Sequence, residues 1–124
     1  MTFALFLSLW SPVVVWAGLI YYFSDIPSLS SGLGVWDLLL RKAAHIVEFA
    51  VLCGLLLRAF RQTWSQLSPK KVMALAGGLA VFYAVSDEYH QSFVPGRGPS
   101  AVDVLIDAIG VGLALYVFRP KVGA

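Results

Sequence analysis

Four long apolar runs dominate the chain and leave few folds open to it. They cover roughly residues 5–23, 38–57, 72–91 and 101–118. Each approaches the twenty or so residues that cross a bilayer core as a helix. The third is the shortest if cut before Asp87, and it needs its polar end, through Gln91, to complete a span. Helix is the form expected for all four, because an open sheet leaves backbone groups unsatisfied in lipid.

The composition agrees with that solvent. Apolar residues make up 59% of the 124 and charged residues 13%, where a soluble domain carries about a quarter charged. Mean hydropathy is +0.79. So small a domain buries only a modest share of its surface, and this much apolar area has nowhere to go but a membrane. The net charge of +2 comes without a basic stripe interleaved with aromatics, so nucleic acid is not an expected partner. The single cysteine, Cys53, excludes an internal disulfide, and its place inside an apolar run points to packing.

The punctuation fits four helices in one domain, residues 1–124. Pro12 lies inside the first run, where it can kink a helix. SDIPSLSSGLG, Ser24 to Gly34, separates the first helix from the second. Ser68-Pro69 makes a good start for the third, a hydroxyl cap with proline at the first helical position. VPGRGPS forms a turn or short loop, and Ser100 stands three residues before Asp103 as in a capping box. The first run lacks a positive leader and a small-residue cleavage site, so it reads as a retained anchor. Arg58, Arg61, Lys70, Lys71, Arg119 and Lys121 fall on one side of the membrane, against Arg41, Lys42 and Arg97 on the other. The positive-inside rule then puts both termini in the cytoplasm. The expected architecture is an all-α membrane protein, a four-transmembrane-helix bundle.

The unusual polar residues gather on the opposite, outward side. At 100° per residue, Arg41, His45 and Glu48 of RKAAHIVEF lie within about 60° of one another, with Lys42 about 60° further round. Glu48 stands roughly 16 Å along a helix that starts near Asp37. Tyr83, Asp87, His90 and Gln91 share a face about 100° wide, with Glu88 at its edge. Asp103 and Asp107 sit one turn apart at the start of the fourth helix. Beneath the acids run Ala76, Ala80 and Ala84, then Gly110 and Ala114, small residues of the kind that let membrane helices approach closely. One pocket bounded by helices two, three and four, and roofed by the Arg97 loop, would collect the polar groups.

Ordinary roles compete for some of them. Arg41 and Lys42 also fit as snorkelling side chains, Asp103 as a helix cap favoured by the dipole, Glu88 and Arg97 as exposed charges. His45, Glu48, Asp87 and Asp107 are harder to place that way, since ionisable groups at depth are costly and commonly mark a functional site. The competing account of these four is a buried ion-pair network that fixes packing.

RKAAHIVEFAVLCGLLLRAF followed by YAVSDEYHQSFVPGRGPSAVDVLIDAIG resembles the VanZ-like family of small bacterial membrane proteins. The matching positions are Lys42, His45, Glu48 and Phe49; Asp87, Glu88 and Gln91; Gly96 and Arg97; Asp103, Asp107 and Gly110. Asp107 stands where many members have asparagine. The resemblance covers about Arg41 to Gly112. It implies a place in the bacterial cytoplasmic membrane and an association with resistance to the glycopeptide teicoplanin; it implies no particular reaction.

Two mechanisms suit these residues. In the first, the pocket binds an envelope lipid or the head group of a peptidoglycan precursor. Arg97, Lys42 and protonated His45 would meet phosphate, with Glu48, Asp87 and Asp107 holding those cations or binding sugar and amine groups. In the second, the chain is an intramembrane hydrolase or transferase on a lipid-linked phosphate. His45, Glu48, Asp87, Glu88, His90 and Asp107 would then supply acid–base catalysis, with Lys42, Gln91, Arg97 and Asp103 in contact with the head group. His45 with Glu48, and Asp87 with His90, stand at i, i+3, a spacing that also suits a divalent metal in a helical bundle. No serine or cysteine nucleophile is evident. Proton-coupled transport and a purely structural role carry less support, and oligomerisation stays open.

Overall fold

The computed structural model describes residues 1–24, 34–94 and 101–120. These form four helices: α1, Phe3–Ser24; α2, Val35–Thr63; α3, Pro69–Gln91; and α4, Ala101–Val117. No strand occurs among the described residues. Gly96, Arg97 and Ser100, with most of the loop expected to roof the pocket, lie outside them.

Local signals place the helix ends. Ser68 caps α3, its Oγ accepting from the Lys71 amide at 3.3 Å, and Pro69 occupies the first turn. Gly34 enters α2 at φ +63°, a conformation that glycine takes without steric cost. Pro12 lies within α1 without ending it. The apolar run in the second segment stops at Leu57, yet α2 continues to Thr63. The extension has a packing cause: Ala59 is fully buried, and Phe60 meets Trp10 edge-on at 5.3 Å. Trp10 also donates to the Thr63 hydroxyl at 2.9 Å.

α2 is the hub. It packs against α1, α3 and α4, most extensively against α4, while α1 and α3 meet only lightly. The small-residue stripe lies in this interior, with Ala76, Ala80 and Ala84 completely buried. Gly110 is the tightest point, since a Cβ there would run into the Ile46 carbonyl oxygen on α2. Two backbones therefore touch where α4 crosses α2, a close approach that only glycine allows.

The outside of the bundle is apolar. α1 and α2 are each long and apolar enough to cross a membrane, and only 17% and 33% of their most apolar windows are buried inside the fold. Val14, Tyr22, Phe23, Leu40, Phe82, Leu105 and Tyr116 all face outward. A core helix of a soluble protein would hide such a window, whereas a helix bathed in lipid leaves it exposed.

Candidate functional site

The end of α1, the first half of α2, the end of α3 and the start of α4 converge at one end of the bundle. Three cross-helix contacts define it. His45 Nδ1 lies 2.8 Å from Asp107 Oδ1, joining α2 to α4. Lys42 pairs with Asp103 one turn away, both side chains partly buried. Ser24 donates its hydroxyl hydrogen to Asp87, joining α1 to α3, and Gln91 Nε2 donates to Ser24 Oγ at 3.3 Å.

Helix packing explains this arrangement. Asp107 precedes Gly110 by three residues, on the face where α4 touches α2 at Ile46, so the close backbone approach carries the carboxylate to His45. Asp87 follows Ala84 by three residues and emerges from the buried alanine stripe. Around these contacts the walls are pinned by indole and phenol groups. Trp16 Nε1 donates to the Glu48 carbonyl at 2.8 Å, and the Tyr83 hydroxyl donates to the Ala17 carbonyl. Tyr21 stacks on His90, rings 4.1 Å apart and 9° from parallel.

A cavity of about 300 Å³ opens beside this network between α1 and α2, lined by Phe23, Ser24, Arg41, Ala44, His45 and Glu48, and not between α2, α3 and α4 as the sequence led one to expect. A larger groove of about 510 Å³ lies between α2 and α4 toward the other end, walled by Gly54, Leu113, Val117 and Phe118 with Arg58 and Arg61. That groove is almost wholly apolar, as a lipid-facing surface should be. The smaller cavity carries the more polar lining, with Arg41, His45 and Glu48 on its wall.

The polar residues expected to meet do largely meet, by a different pairing. The i, i+3 spacings pointed to His45 with Glu48 and Asp87 with His90. The folded chain sets His45 against Asp107, and one ligand atom each from His45, Asp87 and Asp107 falls within 4.8 Å of the other two. Glu48 lines the cavity, and His90 lies under Tyr21. Glu88 and Gln91 are buried, so an exposed Glu88 at the water boundary is not what the fold shows. Arg97 falls outside the described residues. Lys42 is held by Asp103 instead of reaching out alone.

Ser24 escaped the sequence reading, which took it as the first residue of a loop. It is the last residue of α1 and almost fully buried. The signal was present, because Ser24 continues the Leu9, Val13, Ile20 stripe that forms the buried face of α1.

The fold and site thus define a class: a small all-helical membrane protein with a cluster of acids, lysine and histidine between its helices. Over residues 3–122 the chain matches VanZ/LLP1, and it belongs to that family. Membership is consistent with an envelope protein linked to glycopeptide resistance. No curated protein and no solved structure matches the chain.

Proposed function

We propose that this chain is a four-pass protein of the bacterial cytoplasmic membrane, both termini inside, whose outward pocket holds the head group of an envelope lipid or lipid-linked peptidoglycan precursor. The observation that carries the reading is the cavity itself. Its wall combines a guanidinium, an imidazole, a carboxylate and a hydroxyl with the apolar faces of Phe23 and Ala44. Its volume of about 300 Å³ is at the lower end of small-molecule sites. Arg41 and His45 suit a phosphate, while Glu48 suits an amine or sugar hydroxyl. Lys42 and Asp103 tie α2 to α4 one turn from the His45–Asp107 contact.

Native mass spectrometry of the protein extracted with its own lipids tests this. The wild type is expected to retain a lipid that His45→Ala and Arg41→Ala lose. Equal retention by all three sinks the reading. A second readout is glycopeptide tolerance in cells, which the same variants should lower.

One observation favours a second reading, an acid–base or metal-dependent hydrolase or transferase acting on a lipid-linked phosphate. Ser24 and His45 line one cavity, and each is bonded to an aspartate behind it. Turnover of a polyprenyl-phosphate substrate that Ser24→Ala or His45→Ala abolishes would favour catalysis over binding alone.

A further inference from the structure

We infer that His45, Asp87 and Asp107 form a binding site for one divalent transition-metal ion, held between α2, α3 and α4. The inference concerns the same pocket as the head-group reading but does not need a lipid in it.

The donor set comes first. One imidazole and two carboxylates reach a common point from three helices, with a ligand atom of each within 4.8 Å of the others. At metal–ligand distances of about 2.1 Å, neighbouring ligands on one ion stand about 3.0 Å apart in octahedral geometry and about 3.4 Å in tetrahedral geometry. The His45–Asp107 separation of 2.8 Å is already close to the neighbouring value. The other two separations are within 4.8 Å, so bringing Asp87 into range takes a side-chain movement of at most about 2 Å.

The charges point the same way. Asp87 and Asp107 are almost completely buried among helices with apolar outer faces, and two carboxylates at such depth call for compensating positive charge. His45 can offer at most one proton's worth, and it lies against Asp107; Lys42, the nearest lysine, is paired with Asp103, and His90 is stacked under Tyr21. Ser24 satisfies an oxygen of Asp87 by hydrogen bonding without cancelling its charge. A divalent ion shared by the three side chains neutralises both acids at once.

The surroundings resemble those of a built metal centre. Gln91 bonds Ser24, and Ser24 bonds Asp87, a relay that orients the carboxylate as outer-sphere hydrogen bonds do in metalloproteins. The Gly110 contact fixes Asp107 relative to α2. The cavity that His45 and Ser24 line adjoins the cluster through His45. Imidazole with carboxylates suits manganese, iron or zinc better than calcium or magnesium, which prefer all-oxygen sites. Three protein ligands leave positions where water or a phosphate oxygen could bind.

The test is Mn²⁺ titration of detergent-solubilised, delipidated, EDTA-treated protein, followed by loss of the free-ion electron paramagnetic resonance signal. Competition with Zn²⁺ and native mass spectrometry accompany it. The wild type should bind one ion saturably. Asp107→Asn and Asp87→Asn should each weaken binding by about tenfold or more, the scale on which even outer-sphere partners of a metal matter. Asp37→Asn, an acid outside the cluster, should leave it unchanged. Size-exclusion profiles and tryptophan fluorescence establish that each variant is folded, and a misfolded one is replaced by His45→Gln. Absence of saturable binding in the wild type overturns the inference, as does binding that all the cluster substitutions leave intact. Retained lipid without metal would end the inference and leave the head-group reading standing; metal without lipid would do the reverse.

Discussion

The two ends of this bundle are closed by different means. At the α2–α3 connection, Trp10, Phe60 and Trp64 stack and interlock, with ring centroids 5.3 to 6.1 Å apart. At the other end the same helices are tied by Lys42 to Asp103, His45 to Asp107 and Ser24 to Asp87. Aromatic packing suffices to hold helices together and asks little of the surrounding lipid. Buried acids are a poor way to stabilise a protein, because their desolvation offsets most of what their pairing returns. The contrast teaches that the polar end is built for something other than stability.

The largest effect should come from the backbone contact beneath the polar end. Gly110→Ala forces a Cβ into the Ile46 carbonyl and should cost about 3 kcal/mol, at the top of the usual overpacking range. Gly112→Ala, where nothing lies within 4 Å, should instead stabilise α4 by about 0.5 to 1 kcal/mol. Thermal unfolding in detergent reads both, and the same sign for the two would break the comparison.

Next comes the ion pair. Asp107→Leu leaves His45 facing an apolar side chain and should destabilise by about 3 kcal/mol, as removal of one buried partner does. His45→Leu combined with Asp107→Leu should recover most of that loss while abolishing ligand retention. If the double variant is no more stable than the single one, the polar end is structural after all.

The aromatic end should respond more gently and without functional loss. Trp10→Leu removes two edge-on contacts and the bond to Thr63 at a cost of about 2 kcal/mol and should leave lipid retention untouched. The smallest effect is expected for Ser24→Ala. Loss of the bonds that Ser24 makes to Asp87 and accepts from Gln91 should weaken retention by about threefold to tenfold, measured by native mass spectrometry at graded collision energy.

Much of this was legible in the residues. Ionisable side chains within apolar runs are conspicuous because lipid tolerates them poorly, so His45, Glu48, Asp87 and Asp107 stood out. The Ala76–Ala80–Ala84 stripe announced an interior face, and Ser68-Pro69 marked the start of α3. The partners were not legible. Helical periodicity assigns residues to a face but not to the helix opposite, so i, i+3 neighbours looked like pairs when the real bond joins His45 to a residue 62 positions away. The far end of α2 was missed for a related reason. Arg58 and Arg61 interrupt the apolar pattern, while Ala59 and Phe60 between them still pack inward. Ser24 was lost to a loop-like composition that begins on the last residue of the helix.

The length of α2 sets the depth at which all this occurs. Its 29 residues make a rod about 43 Å long, against a hydrocarbon layer of about 30 Å. An upright α2 centred in a bilayer would project about 6 Å at each end, leaving Lys42 about 4 Å below the nearer hydrocarbon boundary and His45 about 9 Å below it. On the head-group reading, a phosphate that reaches His45 must sink below the plane of its neighbours, or the bilayer must thin to meet it. The pocket would act on the vertical position of a lipid as well as on its chemistry, a displacement that depth-resolved spin labels can measure.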